Sequence, residues 1–425
     1  SETNNQVEGV DEMDNVLTDG KYIYIQNYNK IQIVLAYTMN DGHDVLSIVK
    51  EIDIDSLGRD DQTYFYFNGM YVDDERLVIV GTSYYNTCDV FYDDKDTDAP
   101  SEDGEEPDTD ENGDEYYNCR YYEYHSVTNV MIYDKVDFEL EEEFELSGNF
   151  VGSRKIGDDM YFVTNEWVPF YMADYEDYDF NLDNYLPSYK VNDTTVELGY
   201  SDVLYVEGTE PQTFTTFFGI NLDTNEVSTE VVLGEGGYNL YVSTENIYLT
   251  GTKWNWNWAM LDVLEEAAED DETDTEPELE EDPYEIATSI VKIAISGGVV
   301  EFAANGEVPG MALDQFAMDE KDGYVRIVTT SNNWWWGWWG NSDQTINNRL
   351  MVLDSELNII STLEGLGKEG ETVQSTRFVG DYAYVVTFLR TDPFYVIDLS
   401  DPLNPEKLSE LEIPGFSDYL QPIGE

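Results

Sequence analysis

Short runs of alternating apolar and polar residues recur along the whole chain, each bounded by a turn signal. Val, Ile, Tyr and Phe take the alternate positions, a period of two that predicts strands with one face against a core. Amphipathic helical patterns are nearly absent. The clearest run opens after a turn such as DG, DDE, GDD, TE, KDG or GD. It occurs six times: Lys21–Asn27, Arg76–Ser83, Met160–Trp167, Asn246–Trp254, Tyr324–Ser331 and Tyr382–Arg390. A third strand with an acidic or polar end follows around Tyr133, Asn221, Ile293, Leu353 and Ile397, and then a fourth, as in STEVVLGEG and KLSELEIPG.

Four short antiparallel strands repeated in one order predict an all-β fold, a β-propeller in a single domain over residues 1–425. No blade buries enough surface alone, so the core must lie between neighbouring blades. The repeat predicts six complete blades plus one extra C-terminal strand, Gly415–Glu425, whose own partners are missing. Such a strand is an exposed edge and a template for another chain.

The units are unevenly spaced, and insertions 86–127, 168–212, 255–286 and 332–347 account for the excess. Each falls between the second and third strand of its unit, which places all four on one face of a propeller. All nine Trp lie in these insertions or at the strand end that opens one: Trp167, Trp254, Trp256, Trp258, Trp334, Trp335, Trp336, Trp338 and Trp339. Packing of loops onto the rim is one use for them. Five indoles within the six residues WWWGWW are hard to hide, however, so the pattern favours an exposed face for a partner, protein ahead of glycan.

Charge changes the picture of partners and compartment. The chain has 425 residues, 91 Asp plus Glu, 20 Lys plus Arg and a formal charge of −71. Nucleic acid is excluded as a partner, because no basic surface exists to displace counterions from phosphates. Docking on anionic lipid is disfavoured for the same reason. Residues 93–115 and 265–285 hold 13 acids each and 174–184 hold five, yet without them 60 acids still face 19 bases. Acidity is therefore chain-wide, as in a surface adapted to high salt or one that gathers divalent cations.

No apolar run approaches the roughly 20 residues of a spanning helix. The start at Ser1, without Met or a leader, fits a mature fragment with a signal or anchor upstream. Cys88 and Cys119 bracket one acidic insertion. In an oxidising compartment they would close a surface loop as a disulfide; the alternative is two unrelated thiols. Asn192-Asp193-Thr194 is a glycosylation acceptor pattern.

Calcium is the metal the sequence invites. Asp108, Asp110, Asn112 and Asp114 alternate, with Gly113 where a calcium loop turns, as in the first half of an EF-hand loop. Cys119 stands where the bidentate Glu belongs, which leaves a shorter Asp-rich loop. Asp174, Asp177 and Asp179 are a weaker second candidate. The two His, His43 and His125, sit in unrelated units and read as surface or packed residues. No nucleophile elbow, HExxH pair, P-loop or dinucleotide fingerprint is present, so no catalytic residue is assigned.

Two segments carry a family resemblance. Asn5–Tyr24 (NQVEGVDEMDNVLTDGKYIY) and Arg377–Pro422, which runs from RFVGDYAYVVTF to SDYLQP, resemble the secreted prokaryotic β-propeller domain family, distantly related to WD40 repeats. The blades between them align in order. The resemblance implies a propeller at the cell surface or outside the cell, with no agreed catalytic residues. Members continue past the QPIG-like segment into further blades, whereas this sequence stops at Glu425. The resulting expectation is a non-catalytic extracellular propeller for protein interaction, with self-assembly into a filament or surface layer and calcium on its Asp-rich loops. The alternative is a carbohydrate-binding protein or polysaccharide-active enzyme that uses the Trp-rich face.

Overall fold

The computed structural model describes residues 5–36, 39–40, 43–44, 46–54, 64–88, 122–174, 180–206, 209, 211–254, 286–331, 346–389, 392–413 and 420. Six large sheets follow one another along the chain, beside a two-stranded ribbon of Met39–Asn40 and His43–Asp44, and the main strands of each pair antiparallel in sequence order. The first sheet is Val16–Thr18, Tyr22–Asn27, Lys30–Leu35 and Ser47–Asp53. The second is Tyr64–Val72, Arg76–Cys88, Tyr122–Asp134 and Leu140–Ser147. The third comprises Asn149–Ile156, Asp159–Trp167, Thr213–Asn221 and Glu226–Gly234. Asn239–Val242, Asn246–Trp254, Ile286–Ser296 and Val299–Pro309 make the fourth. In the fifth, Met311–Ala312 and Met318–Lys321 share the first position beside Tyr324–Ser331, Asn347–Leu353 and Ile359–Leu366. The sixth is Thr372–Val379, Tyr382–Phe388, Asp392–Asp398 and Glu406–Ile413. The six runs read as second strands fall on the second strands of the six sheets.

Side-chain alternation sends odd and even residues to opposite faces, and each face meets a different neighbour. On the second sheet, Leu77 and Ile79 join Tyr24, Ile31 and Ile33 of the first, whereas Val78 and Val80 join Met160, Phe162 and Phe218 of the third. Similar apolar clusters fill the junctions of the third with the fourth, the fourth with the fifth and the fifth with the sixth. Among the described residues no such cluster joins the sixth sheet to the first.

The stretch from Trp167 to Thr213 departs from a simple loop. Ser188–Val191 pairs with Leu140–Ser147 of the second sheet, and Thr194–Glu197 adds a sixth strand beyond it. Val203–Tyr205 then lies parallel to Glu226–Gly234 on the outer edge of the third sheet. One connection thus covers the outer edges of two sheets and replaces them with edge strands of only four and three residues.

At the axis, the first strands are crossed by residues 5–15. Asp11 exchanges backbone hydrogen bonds with Lys155 (2.8 and 3.1 Å) and Asp14 with Met70 (3.2 and 3.1 Å). Gln6 Nε2 donates to Gln315 O at 2.9 Å and to Met318 O at 3.3 Å in the fifth sheet. Val10 is buried among the third and fourth sheets, and Met13 packs on the second and third. Gly69 allows this approach: a Cβ there would stand 2.7 Å from Met13 Sδ.

Candidate functional site

The two ends of the stacked sheets differ in chemistry. At the lower end, where first strands turn into second strands and third into fourth, basic side chains cross the seams. Lys135 Nζ lies 2.7 Å from Asp19 Oδ2. Arg76 reaches Asp158 at 3.3 Å and also Asp223, and Lys155 reaches Asp73 at 3.1 Å. Arg326 Nη1 donates to Gly380 O at 2.8 Å, and Lys321 pairs with Asp381. Asp19 shows the effect. Its burial favours the neutral acid, but Lys135, the Tyr22 and Lys21 amides and the Tyr24 hydroxyl outweigh that and hold it at about 2. A cavity of about 760 Å³ between the first and second sheets opens at this end, walled by such paired charges.

The upper end is aromatic. Of the exposed aromatic side chains among the described residues, Tyr28, Tyr64, Tyr66, Tyr84, Tyr85, Trp167, Tyr171, Tyr200, Tyr205 and Tyr238 belong to strand ends or connections there, and Tyr382 to the lower end. Trp167 closes Asp159–Trp167, where the last ladder pair, with Thr213, directs the indole outward; it is 52% exposed. Tyr171 follows on the single turn Phe170–Asp174, its ring 5.9 Å from Trp167 and tilted by 38°.

Beneath this shelf, His125 of the second sheet meets Glu166 of the third, with Nδ1 3.6 Å from Oε1. The imidazole is stacked on Tyr85 (5.3 Å, 24°) and tilted against Tyr185 (6.2 Å, 38°), which itself stacks on Phe180. Burial pushes the Glu166 carboxyl up, and His125 only partly offsets it. Of the two places the sequence leaves open for His125, the surface or a packed site, the stacking gives the packed one. Its carboxylate partner was not legible in the sequence, because the two belong to different sheets.

A cavity of about 150 Å³ opens between the third and fourth sheets at the upper end, flanked by the Lys253–Glu307 pair at 2.8 Å. Drug-sized ligands need about 300–1,000 Å³.

The residues singled out from sequence are mostly beyond reach of side-chain description. Trp254 ends Asn246–Trp254, Cys88 ends Arg76–Cys88 and Asp174 ends Phe170–Asp174. For these three only the backbone is described. Trp256, Trp258, Trp334, Trp335, Trp336, Trp338, Trp339, Asp108, Asp110, Asn112, Asp114, Asp177, Asp179 and Cys119 lie outside the described residues. Among the described residues, no group of three or more His, Cys, Asp or Glu is placed to hold a metal. Among the described residues no helix is long and apolar enough to cross a membrane.

Comparison with known proteins agrees with the architecture. The beta propeller domain family matches residues 1–425, and the chain belongs to it. An uncharacterised protein of Methanocaldococcus jannaschii is 45% identical over 137 residues, 32% of this chain and 20% of that one. Another uncharacterised protein, from Archaeoglobus fulgidus, is 28% identical over 333 residues, 66% of this chain and 50% of that one. The chain thus spans half or less of the length of these relatives. Among solved structures, Synechocystis apocarotenoid oxygenase aligns with 95% of this chain and 72% of its own at 9% identity and a TM-score of 0.33. The propeller domain of the trilobed protease of Pyrococcus furiosus aligns with 83% of this chain and 84% of its own, at 10% identity and a TM-score of 0.23.

Proposed function

We propose that this protein is a non-catalytic, extracellular or cell-surface propeller of six blades and a further C-terminal strand that acts by protein–protein interaction, including self-assembly into a filament or surface layer. The observation that carries this reading is the division between its ends: basic side chains cross the seams at one, while exposed Tyr and Trp gather at the other. Large amphipathic rings with few rotamers are the residues that dominate protein interfaces. The strand ends that flank insertions 86–127, 255–286 and 332–347 belong to that same upper end, and Trp254, Trp256, Trp258, Trp334, Trp335, Trp336, Trp338 and Trp339 would extend the aromatic face. Asp108 to Asp114 and Asp174 to Asp179 would bring calcium to it, Cys88 and Cys119 would tie one loop as a disulfide, and a halophilic setting would screen the net charge.

The test is negative-stain microscopy and sedimentation of the native chain in calcium, with and without chelator. Filaments or sheets that dissolve on chelation support the reading, and discrete particles in both conditions overturn the assembly part of it. The exposed Trp167–Tyr171 pair favours a second reading, since a flat aromatic shelf suits the apolar face of a sugar ring. Retention on a glycan array that Trp167→Ala abolishes supports it; no retention removes it.

A further inference from the structure

The apolar rows that meet between the third and fourth sheets stop short of the upper end. On the third sheet Phe217 gives way to Thr215 and Val232 to Gly234, and on the fourth Leu249 gives way to Gly251 and then Lys253. Alternation keeps all of these on the facing sides. Gly236 O is packed so close over Gly251 that no Cβ would fit there. What remains between Leu249 and Lys253 is the cavity of about 150 Å³, with Gly234 and Gly236 in its wall.

The wall changes character with depth. Val206, Val232 and Leu249 are buried and form an apolar floor. At the rim Lys253 Nζ stands 2.8 Å from Glu307 Oε2, with side chains 19% and 41% exposed, and Glu235 lines the same cavity. Three hydroxyls line it too. Thr209 Oγ1 donates to Val206 O at 2.8 Å, Thr215 Oγ1 to Asn165 Oδ1 at 2.8 Å and Ser289 Oγ to Gly251 O at 3.3 Å. Each spends its hydrogen on the protein and offers a ligand only lone pairs. The lining thus suits a small apolar body that carries a cationic donor and an anionic group.

We propose that this cavity binds an aliphatic α-amino acid as its zwitterion. The ammonium takes the hydroxyl lone pairs and the Glu235 and Glu307 carboxylates, the carboxylate takes Lys253, and the side chain lies on Val232 and Leu249. One ion pair at the rim thereby becomes two. Size sets the upper limit. An apolar cavity of about 150 Å³ takes benzene, which is room for the branched body of valine or leucine below the rim, but not for an indole or for a benzyl group with its Cα. Charge points the same way, since a ligand with no net charge is not repelled by a chain of −71. Such a site needs no partner and no assembly.

Isothermal titration calorimetry and thermal melting of the 425-residue chain give the test, with leucine and valine as ligands. Isoamylamine, which lacks the carboxylate, isocaproate, which lacks the ammonium, and phenylalanine, which exceeds the cavity, are the controls. Leucine should bind saturably and raise the melting temperature, and each control should bind roughly tenfold more weakly or worse. Gly234→Leu fills the space. Its Cβ would stand 3.4 Å from Thr209 Oγ1, an ordinary contact, so the variant should melt near wild type and lose leucine. Lys253→Met and Glu307→Gln, at the rim, should fold and should each weaken leucine by roughly tenfold. A folded wild type that binds neither leucine nor valine overturns the site. So does leucine binding that survives Gly234→Leu, or that survives both rim substitutions. Isoamylamine or isocaproate bound as tightly as leucine overturns the assignment to a zwitterion.

Discussion

Lys135 and Asp19 meet across the seam between the first two sheets, with the ammonium 2.7 Å from the carboxylate and 5.9 Å from the ring of Tyr24. The contact joins a turn of one sheet to a turn of the next, so it reports whether the seam is closed. Lys135→Met should cost about 1–3 kcal/mol in equilibrium denaturation, since a charge-assisted hydrogen bond is lost and Asp19 is left partly buried beside fewer donors.

The same pair sets a pH dependence. In the folded chain Asp19 is held at about 2, against 3.8 ordinarily, so the folded state binds its proton less tightly than the unfolded one. The stabilisation is therefore complete above the ordinary carboxylate range and is lost as pH falls from about 4 toward 2. Asp19→Asn should flatten that part of the acid melting curve, and an unchanged slope would rule the pair out as its source.

Glu166 should behave in the opposite sense. Burial raises its pKa despite His125, so the folded state holds the proton more tightly than the unfolded chain does. Its contribution favours folding at acid pH and is lost as pH rises through the raised value. Glu166→Gln should melt above wild type at neutral pH, with the gap closing toward pH 4 in a thermal titration.

Core and surface aromatics should separate cleanly. Phe218 is fully buried between the second and third sheets, and Phe218→Ala should cost about 3–5 kcal/mol. Trp167 is half exposed, and Trp167→Ala should change stability by no more than about 0.5 kcal/mol while it weakens partner binding in the same preparation.

Gly69 and Met13 form a testable couple. Gly69→Ala should destabilise by about 1–3 kcal/mol through overcrowding, and much of that should return in the double variant with Met13→Ala. Simple additivity in the double-mutant cycle would show that the two do not touch.

The strands were legible because period-two alternation survives translation into structure almost unchanged: MYFVTNEW and NIYLTGTKW read as strands and are strands. What escaped was everything made by residues distant in sequence. The hairpin Ser188–Glu197 has strand-like letters but lies within the insertion 168–212, and only the free edge of Leu140–Ser147 gives it a partner. Glu12 and Arg154, 3.5 Å apart at the axis, and His125 with Glu166 likewise carry no local signal. Acidity hid these carboxylates further, because among 91 acids a functional one does not stand out.

The segment of residues 5–15 has a kinetic consequence. Its bond from Gln6 to Gln315 spans 309 positions, and its bridges reach the second and third sheets. Residues 5–15 leave the ribosome long before the fifth sheet exists, so their full docking must wait until residues 315–318 have been made. Loop-closure entropy makes such long-range contacts slow to form. A segment made before all six sheets is thus locked only after the fifth, and a bulky group attached ahead of Asn5 would delay that docking while leaving the early sheets free to form.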